Sequence, residues 1–386
     1  MSIPKVFFFS TKEAGKSENF QDLIVNIATG MQQLGIEYYA SNNYWQLAPD
    51  SDCEASRRHR YLLEVNPDVS HHDCDVVVIE RQWFEKNGCL PKDLFAPNRQ
   101  YKTVYLDCED GVGGIRSASW RPEFRQFDLI LRTHYTHHTK HPDNVRPWAF
   151  GLSTRVLQEL AEPIPHTQKQ PSLLVNFRHK KFSHSLRRYV EKKVVPQLER
   201  HFSLDTSVDT PPTADDPYHY LRWVQTGKRH YPSYYNRLRH SAACACFGGF
   251  FLAPGLMDRY HKTAYYSAKL ICELGIKTER IGQWDSWRFW ESMVAGCITL
   301  HVDFEKYGFV LPVMPENWKH YIGIDLDNVD SAIARITEQP ELMAQISAEG
   351  RAWAIEHYAP KPTALRFLEI VSDFKPAQLL SEVTVK

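Results

Sequence analysis

The chain has 386 residues, which exceeds the size at which one hydrophobic core usually keeps growing and predicts two domains with a cleft between them. Hydrophobic residues make up 43% and charged residues 24%, which excludes a largely disordered chain and a fibrous repeat. Lys plus Arg equals Asp plus Glu at 46 each, so the composition does not favour a broadly basic surface wrapped around nucleic acid.

The apolar runs, the first residues and the cysteines indicate where the protein resides. No apolar run approaches the roughly 18 residues of a membrane span, and Met-Ser-Ile-Pro-Lys lacks the basic and apolar regions of a signal peptide. The eight cysteines are scattered, several of them inside apolar segments, which predicts reduced thiols and no disulfide framework. We therefore expect a cytoplasmic protein, with peripheral association at the membrane left open.

Predicted strands and helices alternate in the first part of the chain. Val6-Phe7-Phe8-Phe9 is a continuous apolar run, typical of a strand buried on both faces, and a helical pattern of apolar residues follows from Phe20 to Leu34. Further strand-like runs lie at residues 36–39, 75–79, 102–106 and 128–131. This alternation favours a parallel α/β sheet, and ligands of such sheets bind at the carboxyl ends of the strands.

Carboxylates follow the predicted strands of this sheet. Asp107-Cys108-Glu109-Asp110 closes one strand just before a glycine-rich turn, and a carboxylate in a cleft can take a proton from a hydroxyl group. Asp110 and Asp107 are the candidates for this base, with Glu80 and His134 behind them. The alternatives are a structural turn and a metal site formed by the acidic cluster.

Four histidines crowd into residues 134–141 with the spacing H-x-x-H-H-x-x-H. This spacing lacks the cysteine partners, or the glutamate of H-E-x-x-H, that accompany histidine in familiar zinc sites. We therefore predict a polar loop with one functional histidine, His134, and no metal ligands.

A second α/β unit is predicted after a proline-containing linker at residues 162–171. Its strands are expected at residues 172–177, 242–247 and 297–301, its helices at 264–274 and 286–295, and a helical tail runs from 340 to about 374 with a Pro break at 360–362. The predicted domains are therefore 1–165 and 166–360. Residues 361–386 form a C-terminal helix and tail expected to pack back on the first domain.

Residues 282–300 form the most informative segment of the sequence. Asp285 is a good N-cap, which places Ser286 and Arg288 in the first helical turn, where free N–H groups and the helix dipole attract a phosphate. Glu291 follows about one turn later, where a carboxylate can accept hydrogen bonds from vicinal hydroxyls such as those of ribose. The alternative is an ordinary amphipathic α-β unit with Glu291 solvated and Arg288 on the surface.

The pattern Ser-x-Arg-Phe-x-Glu-Ser-x-x-Ala-Gly-Cys-Ile in this segment resembles the nucleotide-sugar-binding helix of GT-B glycosyltransferases, closest to the exostosin-like and bacterial group 1 types. The resemblance covers about residues 230–320, including the run that ends in Phe-Gly-Gly249, and extends weakly to the last helices. It implies two Rossmann-like domains whose parallel sheets face a cleft, with Glu291 on the donor ribose. Gln283 stands where many retaining members have a second glutamate, so retention and inversion both stay open.

The resemblance also implies a basic residue that neutralises the diphosphate leaving group. Arg178 follows the first strand of the second domain and takes this part, because fixed cations stabilise charge as it develops. Gly249, Gln283, Ser286 and Arg288 complete the expected donor site. The alternative for Arg178 is a solvated basic helix start.

Aromatic side chains are abundant in the second half of the sequence, and some of their rings could stack on a base or a sugar face. Most of them are expected to pack in the core or between domains. The set comprises Tyr218, Tyr220, Trp223, Tyr231, Tyr234, Tyr235, Trp284, Trp287 and Trp290.

The sequence thus predicts a glycosyltransferase that moves a sugar from a UDP- or GDP-linked donor to a carbohydrate or small-molecule acceptor. Neither a cofactor nor a catalytic metal is expected, and a nucleic-acid partner is not expected either. The alternatives are a pseudo-glycosyltransferase, a sugar-nucleotide epimerase on the same fold, and a binding protein that keeps the fold as a scaffold.

Overall fold

The structure, a computed structural model, describes residues 3–11, 22–47, 60–110, 122–177, 184–228, 231–253 and 269–372. Within these residues the chain forms two parallel sheets and two short antiparallel ribbons. No helix in the described part is long and apolar enough to cross a membrane.

The strands, in chain order, are β1 (Val6–Phe9), β2 (Tyr38–Ala40), β3 (Tyr44–Gln46), β4 (Tyr61–Leu63), β5 (Val76–Glu80), β6 (Lys102–Asp107), β7 (Leu129–Arg132), β8 (Val145–Pro147), β9 (Gln170–Leu174), β10 (Ser203–Asp205), β11 (Ser241–Ala245), β12 (Phe250–Phe251), β13 (Ile281–Gly282), β14 (Ile298–Val302) and β15 (Ile322–Ile324). The α-helices are α1 (Asp22–Gln33), α2 (Arg81–Asn87), α3 (Thr154–Glu159), α4 (Ser185–Lys193), α5 (Val195–Leu198), α6 (Pro217–Gln225), α7 (Pro232–His240), α8 (Trp287–Val294), α9 (Val329–Glu338), α10 (Glu341–Tyr358) and α11 (Pro360–Ser372).

The first sheet has the strand order β2-β1-β5-β6-β7-β8, and all of its neighbouring strands are parallel. Every residue of β1 and β5 is buried, which explains why both strands read as unbroken apolar runs. Side chains alternate between two cores, so Val6 and Phe8 belong to one while Phe7 and Phe9 belong to the other.

The last helix returns to the first sheet. Ala364, Phe367 and Leu368 of α11 lie in the same core cluster as α1 and the β1 residues Val6 and Phe8. Close contact between α1 and α11 requires Gly30, because a β-carbon there would lie 2.0 Å from the Pro360 carbonyl oxygen. The last helix thus completes the core on one face of the first sheet.

The second sheet has the strand order β10-β9-β11-β14-β15 and is also parallel. Its core extends from Leu173 and Leu174 of β9 to Tyr358 at the end of α10. Residues after β7 hydrogen-bond to the loop that precedes α8, and Asp110 after β6 hydrogen-bonds to Gln283 in that loop, so the carboxyl edge of the first sheet faces the second unit.

The predicted parallel strands are confirmed at residues 6–9, 76–80, 102–107, 129–132, 241–245 and 298–302, and the tail is helical with a break before Pro360. The short antiparallel pairs β3–β4 and β12–β13 had no counterpart in the prediction. Of the helix predicted at 264–274, residues 269–274 are described and helical, and the remainder lies outside the described residues. The fold class, two parallel α/β units facing a cleft, is confirmed.

Candidate active site

A buried ion pair joins the carboxyl ends of β6 and β7. Asp107 Oδ2 lies 2.5 Å from Arg132 Nη1, and both side chains are buried. Asp107 Oδ1 also accepts the Glu109 backbone N–H at 3.1 Å. Because the buried guanidinium occupies the carboxylate and neither side chain reaches solvent, this arrangement favours a structural role for Asp107 over the predicted catalytic one.

Glu80 is fully buried at the end of β5, beneath the start of α1. Its Oε2 accepts the Ile24 backbone N–H at 3.1 Å, and Cys108 Sγ lies 3.7 Å from its Oε1. Burial raises the pKa of Glu80 well above its ordinary value, although the Ile24 N–H opposes this effect. A carboxyl group without exposed surface cannot reach an acceptor hydroxyl, so Glu80 serves the helix start instead.

Asp110 is the carboxylate at these strand ends that is open to solvent, with 62% of its side chain exposed. Its Oδ1 lies 3.7 Å from His134 Nε2, and the Gln283 side chain hydrogen-bonds to the carboxylate from the second unit. Partial desolvation raises the pKa of Asp110, but His134, Arg81 and Gln283 together lower it below its ordinary value. Asp110 is therefore ionised at neutral pH, as a proton acceptor must be.

His134 is buried and lies between the two units. Its Nδ1 accepts the Asp285 backbone N–H at 3.1 Å, so a neutral ring carries its proton on Nε2, the atom that faces Asp110. The residue has a φ of 56°, a conformation that L-residues rarely adopt. Contacts with Asp285 and Asp110 hold this strained backbone conformation. Strained residues of this kind are common at functional sites.

The segment after His134 is bound to the second unit by its backbone. Trp284 Nε1 donates to the Tyr135 carbonyl at 3.2 Å, and the Val310 N–H donates to the same oxygen at 3.1 Å. The His137 N–H donates to the Gly308 carbonyl at 2.8 Å. These bonds fix the position of His134 and Asp110 relative to the loop before α8.

The N-cap of α8 is Ser286, one residue later than predicted. Asp285 is buried, and its carboxylate accepts the Phe150 N–H at 3.0 Å and Trp290 Nε1 at 2.8 Å. Burial raises the pKa of Asp285. The prediction of Asp285 as N-cap is corrected because these partners engage its side chain, and Ser286 adopts the extended N-cap conformation with φ −151° and ψ 148°.

Glu291 is buried one turn into α8, with 3% of the residue exposed. Tyr234 donates its hydroxyl to Oε2 at 3.1 Å, and Tyr235 donates to Oε1 at 3.2 Å. Burial, followed by the Glu291 charge, raises the pKa of both phenols well above their ordinary value. The carboxylate is therefore fixed in one orientation, and the alternative of a solvated Glu291 is excluded.

A small pocket opens beside Glu291. Trp287 Nε1 donates to Asp22 Oδ2 at 2.9 Å and joins the two units at its wall. The buried Arg155 guanidinium lies at the same wall and interacts electrostatically with Glu291. The residues that matter for the chemistry of this lining are Asp22, Trp45, Arg155, Tyr235, Trp287 and Glu291.

The remaining predicted donor residues have different surroundings. Gly249 has a φ of 91° and faces Gly282 so closely that a β-carbon would lie 1.9 Å from its carbonyl oxygen. Gln283 has a φ of 54° and reaches Asp110. Arg288 forms no ion pair with a carboxylate of the described residues, and Arg178 lies outside them. Their binding of a donor stays a prediction.

Trp45 and Arg155 are among the lining residues of the pocket that the sequence analysis did not predict. Trp45 comes from the β3–β4 ribbon and has a φ of 62°, and Arg155 follows the first sheet at the start of α3. Neither residue stands in a motif, because a short ribbon and an irregular connection give no periodic signal. Tyr235 and Trp287 were among the aromatic residues considered for stacking.

Two solved structures of an alpha-glucosyltransferase are similar to this chain over nearly its whole length. The complex with UDP gives a TM-score of 0.53 at 9% identity and covers 96% of this chain and 100% of that chain. The complex with UDP and a 13-mer DNA containing a central A:G mismatch gives a TM-score of 0.54 at 10% identity, with the same coverage. At this identity the similarity establishes the fold, which is the GT-B fold predicted from the sequence.

A glycosyltransferase from Rickettsia africae ESF-5 is also similar, with a TM-score of 0.48 at 8% identity, covering 97% of this chain and 98% of that chain. No family model matches the chain, and no curated protein matches it either.

Proposed function

We propose that this protein is a glycosyltransferase that moves a sugar from a nucleoside diphosphate donor, UDP-linked, to an acceptor hydroxyl. The observation that carries the proposal is the position of Glu291, whose buried carboxylate lines a pocket between the two units and is held there by Tyr234 and Tyr235. A scaffold protein gains nothing from a buried carboxylate fixed beside a pocket, because burial of such a charge costs free energy.

The nucleoside is expected to bind with its ribose at Glu291. A carboxylate offers about four acceptor positions, and each tyrosine occupies one of them on its own oxygen. A carboxylate that lines the pocket can accept hydrogen bonds from the two vicinal hydroxyls of a ribose. The indoles of Trp45 and Trp287 line the same pocket and offer apolar faces to a base or a sugar.

The diphosphate is expected at the amino end of α8. Ser286 Oγ is buried and has no hydrogen-bond partner in the described part of the chain. The Ser286 side chain therefore forms no capping hydrogen bond to the helix. A phosphate oxygen would satisfy this hydroxyl and the N–H groups of the first turn, since helix amino ends bind anions. Arg288 and Arg178, the latter following the first strand of the second unit in the sequence, would supply the positive charge in place of a metal ion.

The acceptor is expected on the side of the first sheet, at Asp110 and His134. The ionised Asp110 carboxylate would take the proton of the acceptor hydroxyl as its oxygen forms the bond to the sugar. The bond between the sugar and the diphosphate breaks, and the leaving group keeps the electron pair. His134 would position Asp110 through Nε2, because its Nδ1 is occupied by the Asp285 N–H.

The UDP in the similar alpha-glucosyltransferase structures supports UDP as the first donor to test. We expect a carbohydrate or small-molecule acceptor, in keeping with the balanced charge of the chain. One of those structures also contains DNA, so a short DNA duplex belongs in the acceptor panel.

A thermal-shift screen against UDP, GDP, ADP, CMP and TDP tests the proposal, because a ligand that binds only the folded protein raises its melting temperature. We expect UDP to give the largest increase. The Glu291→Ala variant should lose this increase, whereas Glu356→Gln, an exposed glutamate on α10, should keep it. If no nucleotide raises the melting temperature of the natural protein, the proposal fails.

A further inference from the structure

A cluster of metal-binding side chains lies away from the cleft. His71 and His72 occupy a short 3₁₀ turn before β5, and Asp93 lies in the loop before β6. Their ligand atoms all lie within 4.8 Å of one another. The turn and the loop precede their strands, so the cluster sits at the opposite edge of the first sheet from Asp110.

The two distances from Asp93 to the histidine nitrogens are close to the ligand spacing of a tetrahedral metal ion. Asp93 Oδ2 lies 3.0 Å from His72 Nε2 and 3.4 Å from His71 Nε2. Two ligands at about 2.0–2.1 Å from a zinc ion in tetrahedral geometry are separated by about 3.3 Å. An ion could therefore bind all three atoms after only small side-chain movements.

The ring nitrogen of His71 lies near a carboxylate but forms no hydrogen bond within the described residues. This atom, Nε2, is buried, whereas the neighbouring His72 hydrogen-bonds to Asp93 at 3.0 Å. A buried polar atom without a partner is costly, and a metal ion would satisfy it. The ring itself is fixed, because it packs against Phe7, Phe9 and Tyr101.

Both backbone segments that carry the ligands are also held in place. Ser70 donates its backbone N–H and its hydroxyl to Asp73 Oδ2 at 2.9 and 2.6 Å, which closes the turn that presents the two histidines. Tyr101 donates its hydroxyl toward the Asp93 and Leu94 carbonyls at 3.2 Å. The ligands are thus brought together by the fold, before any ion binds.

We propose that His71, His72 and Asp93 form a binding site for a divalent transition-metal ion of the zinc type, with water in the fourth position. Two imidazole nitrogens and one carboxylate favour Zn²⁺, Co²⁺ or Ni²⁺ over Mg²⁺ and Ca²⁺, which prefer oxygen ligands. The ion would join the turn before β5 to the loop before β6 and stabilise that edge of the first sheet. It takes no part in sugar transfer.

Calorimetric titration of the metal-stripped full chain with Zn²⁺ tests the site. We expect one ion per chain, an increase in melting temperature, and no comparable effect of Mg²⁺. Co²⁺ should give the visible absorption bands of tetrahedral coordination. His72→Ala and Asp93→Ala should each weaken Zn²⁺ binding at least about tenfold, since even partners outside the ligand set contribute that much.

His357→Ala is the matched control, because His357 also lies beside a carboxylate, 4.0 Å from Glu356, but no third metal-binding side chain joins them among the residues that the structure describes. This variant should bind Zn²⁺ like the natural protein. The proposal would be overturned if the His72→Ala and Asp93→Ala variants bound Zn²⁺ as tightly as the natural protein. It would also be overturned if the natural protein bound no stoichiometric Zn²⁺. All variants should still fold, since His72 and Asp93 are exposed.

Discussion

Glu291 and the two phenols that hold it act as one unit at the scale of single residues. The carboxylate raises the pKa of Tyr234 and Tyr235, after burial, so both hydroxyls keep their protons and remain donors at any pH near neutrality. The two donors limit the rotation of the carboxylate. A ligand that binds Glu291 therefore finds the carboxylate already oriented.

Removal of one of these donors tests the positioning role of the tyrosines. The Tyr234→Phe variant keeps the ring but leaves Glu291 Oε2 without this hydrogen bond, and a hydrogen bond to a charged group contributes about 1.5–3 kcal/mol. We expect UDP to bind roughly tenfold more weakly by calorimetry, with a loss of stability. Tyr220→Phe, at an exposed tyrosine of α6, is the control and should bind UDP normally. An unchanged affinity of the Tyr234→Phe variant would contradict the positioning role.

Asp110 and Asp107 differ in ways that two isosteric variants can separate. Asp110→Asn removes the proton acceptor, so we expect sugar transfer to fall by roughly 100-fold or more while UDP binding and the melting temperature stay nearly unchanged. Asp107→Asn leaves Arg132 buried without its counter-charge, which costs roughly 3–5 kcal/mol of folding free energy. Transfer assays and chemical denaturation measure the two effects. The reverse pattern would assign the catalytic role to Asp107.

At the scale of secondary-structure elements, contact between α1 and α11 depends on one glycine. The Gly30→Ala variant places a β-carbon 2.0 Å from the Pro360 carbonyl oxygen, so the helices must separate. We expect a loss of roughly 1–3 kcal/mol in the free energy of unfolding, measured with urea. Thr29→Ala, the neighbouring position on the same helix, should be neutral or slightly stabilising. Equal effects of the two variants would show that the contact is unimportant.

The sequence predicts those elements that carry a strong local signal. Strands β1, β5 and β6 are recognisable because burial on both faces of a parallel sheet requires unbroken apolar runs. The β3–β4 ribbon is not recognisable, because three-residue strands are too short for a period. The start of α8 differs by one residue, because Asp285 forms tertiary contacts with Phe150 and Trp290 in place of the local cap.

The candidate site is predicted only in part for the same reason. Glu291 and Asp110 lie in recognisable positions, one turn into a helix and at a strand end. The pairing of Asp107 with Arg132, which favours Asp110 as the base, depends on the neighbouring strand and cannot be read from either segment alone. The contribution of Trp45 to the pocket likewise depends on how the two units meet.

At the scale of the whole molecule, a buried histidine couples stability to pH. Burial lowers the pKa of His301 to about 4, and its ring hydrogen-bonds to the Trp284 carbonyl beside the cleft. Because the unfolded chain binds a proton near pH 6.5 and the folded chain only near pH 4, stability is complete above pH 6.5 and falls as pH decreases through this window. The full effect amounts to roughly 3 kcal/mol.

The His301→Gln variant should show a weaker decrease in melting temperature between pH 7 and pH 4.5 than the natural protein. Glu80 and Asp285, whose pKa values are raised, act in the opposite direction. They are present in both proteins, so the difference between the two pH profiles isolates His301. Parallel profiles would contradict the assignment of a depressed pKa to this residue.

Calorimetric titration tests whether Glu291 binds the ribose of a sugar donor. UDP and 2′-deoxy-UDP are each titrated into the natural protein and into the Glu291→Gln variant. We expect loss of the 2′-hydroxyl to weaken binding to the natural protein by roughly tenfold or more, because it removes a hydrogen bond to a charged group. The same loss should have little effect on binding to the variant. An equal loss in both proteins, or none in either, would contradict ribose binding by Glu291.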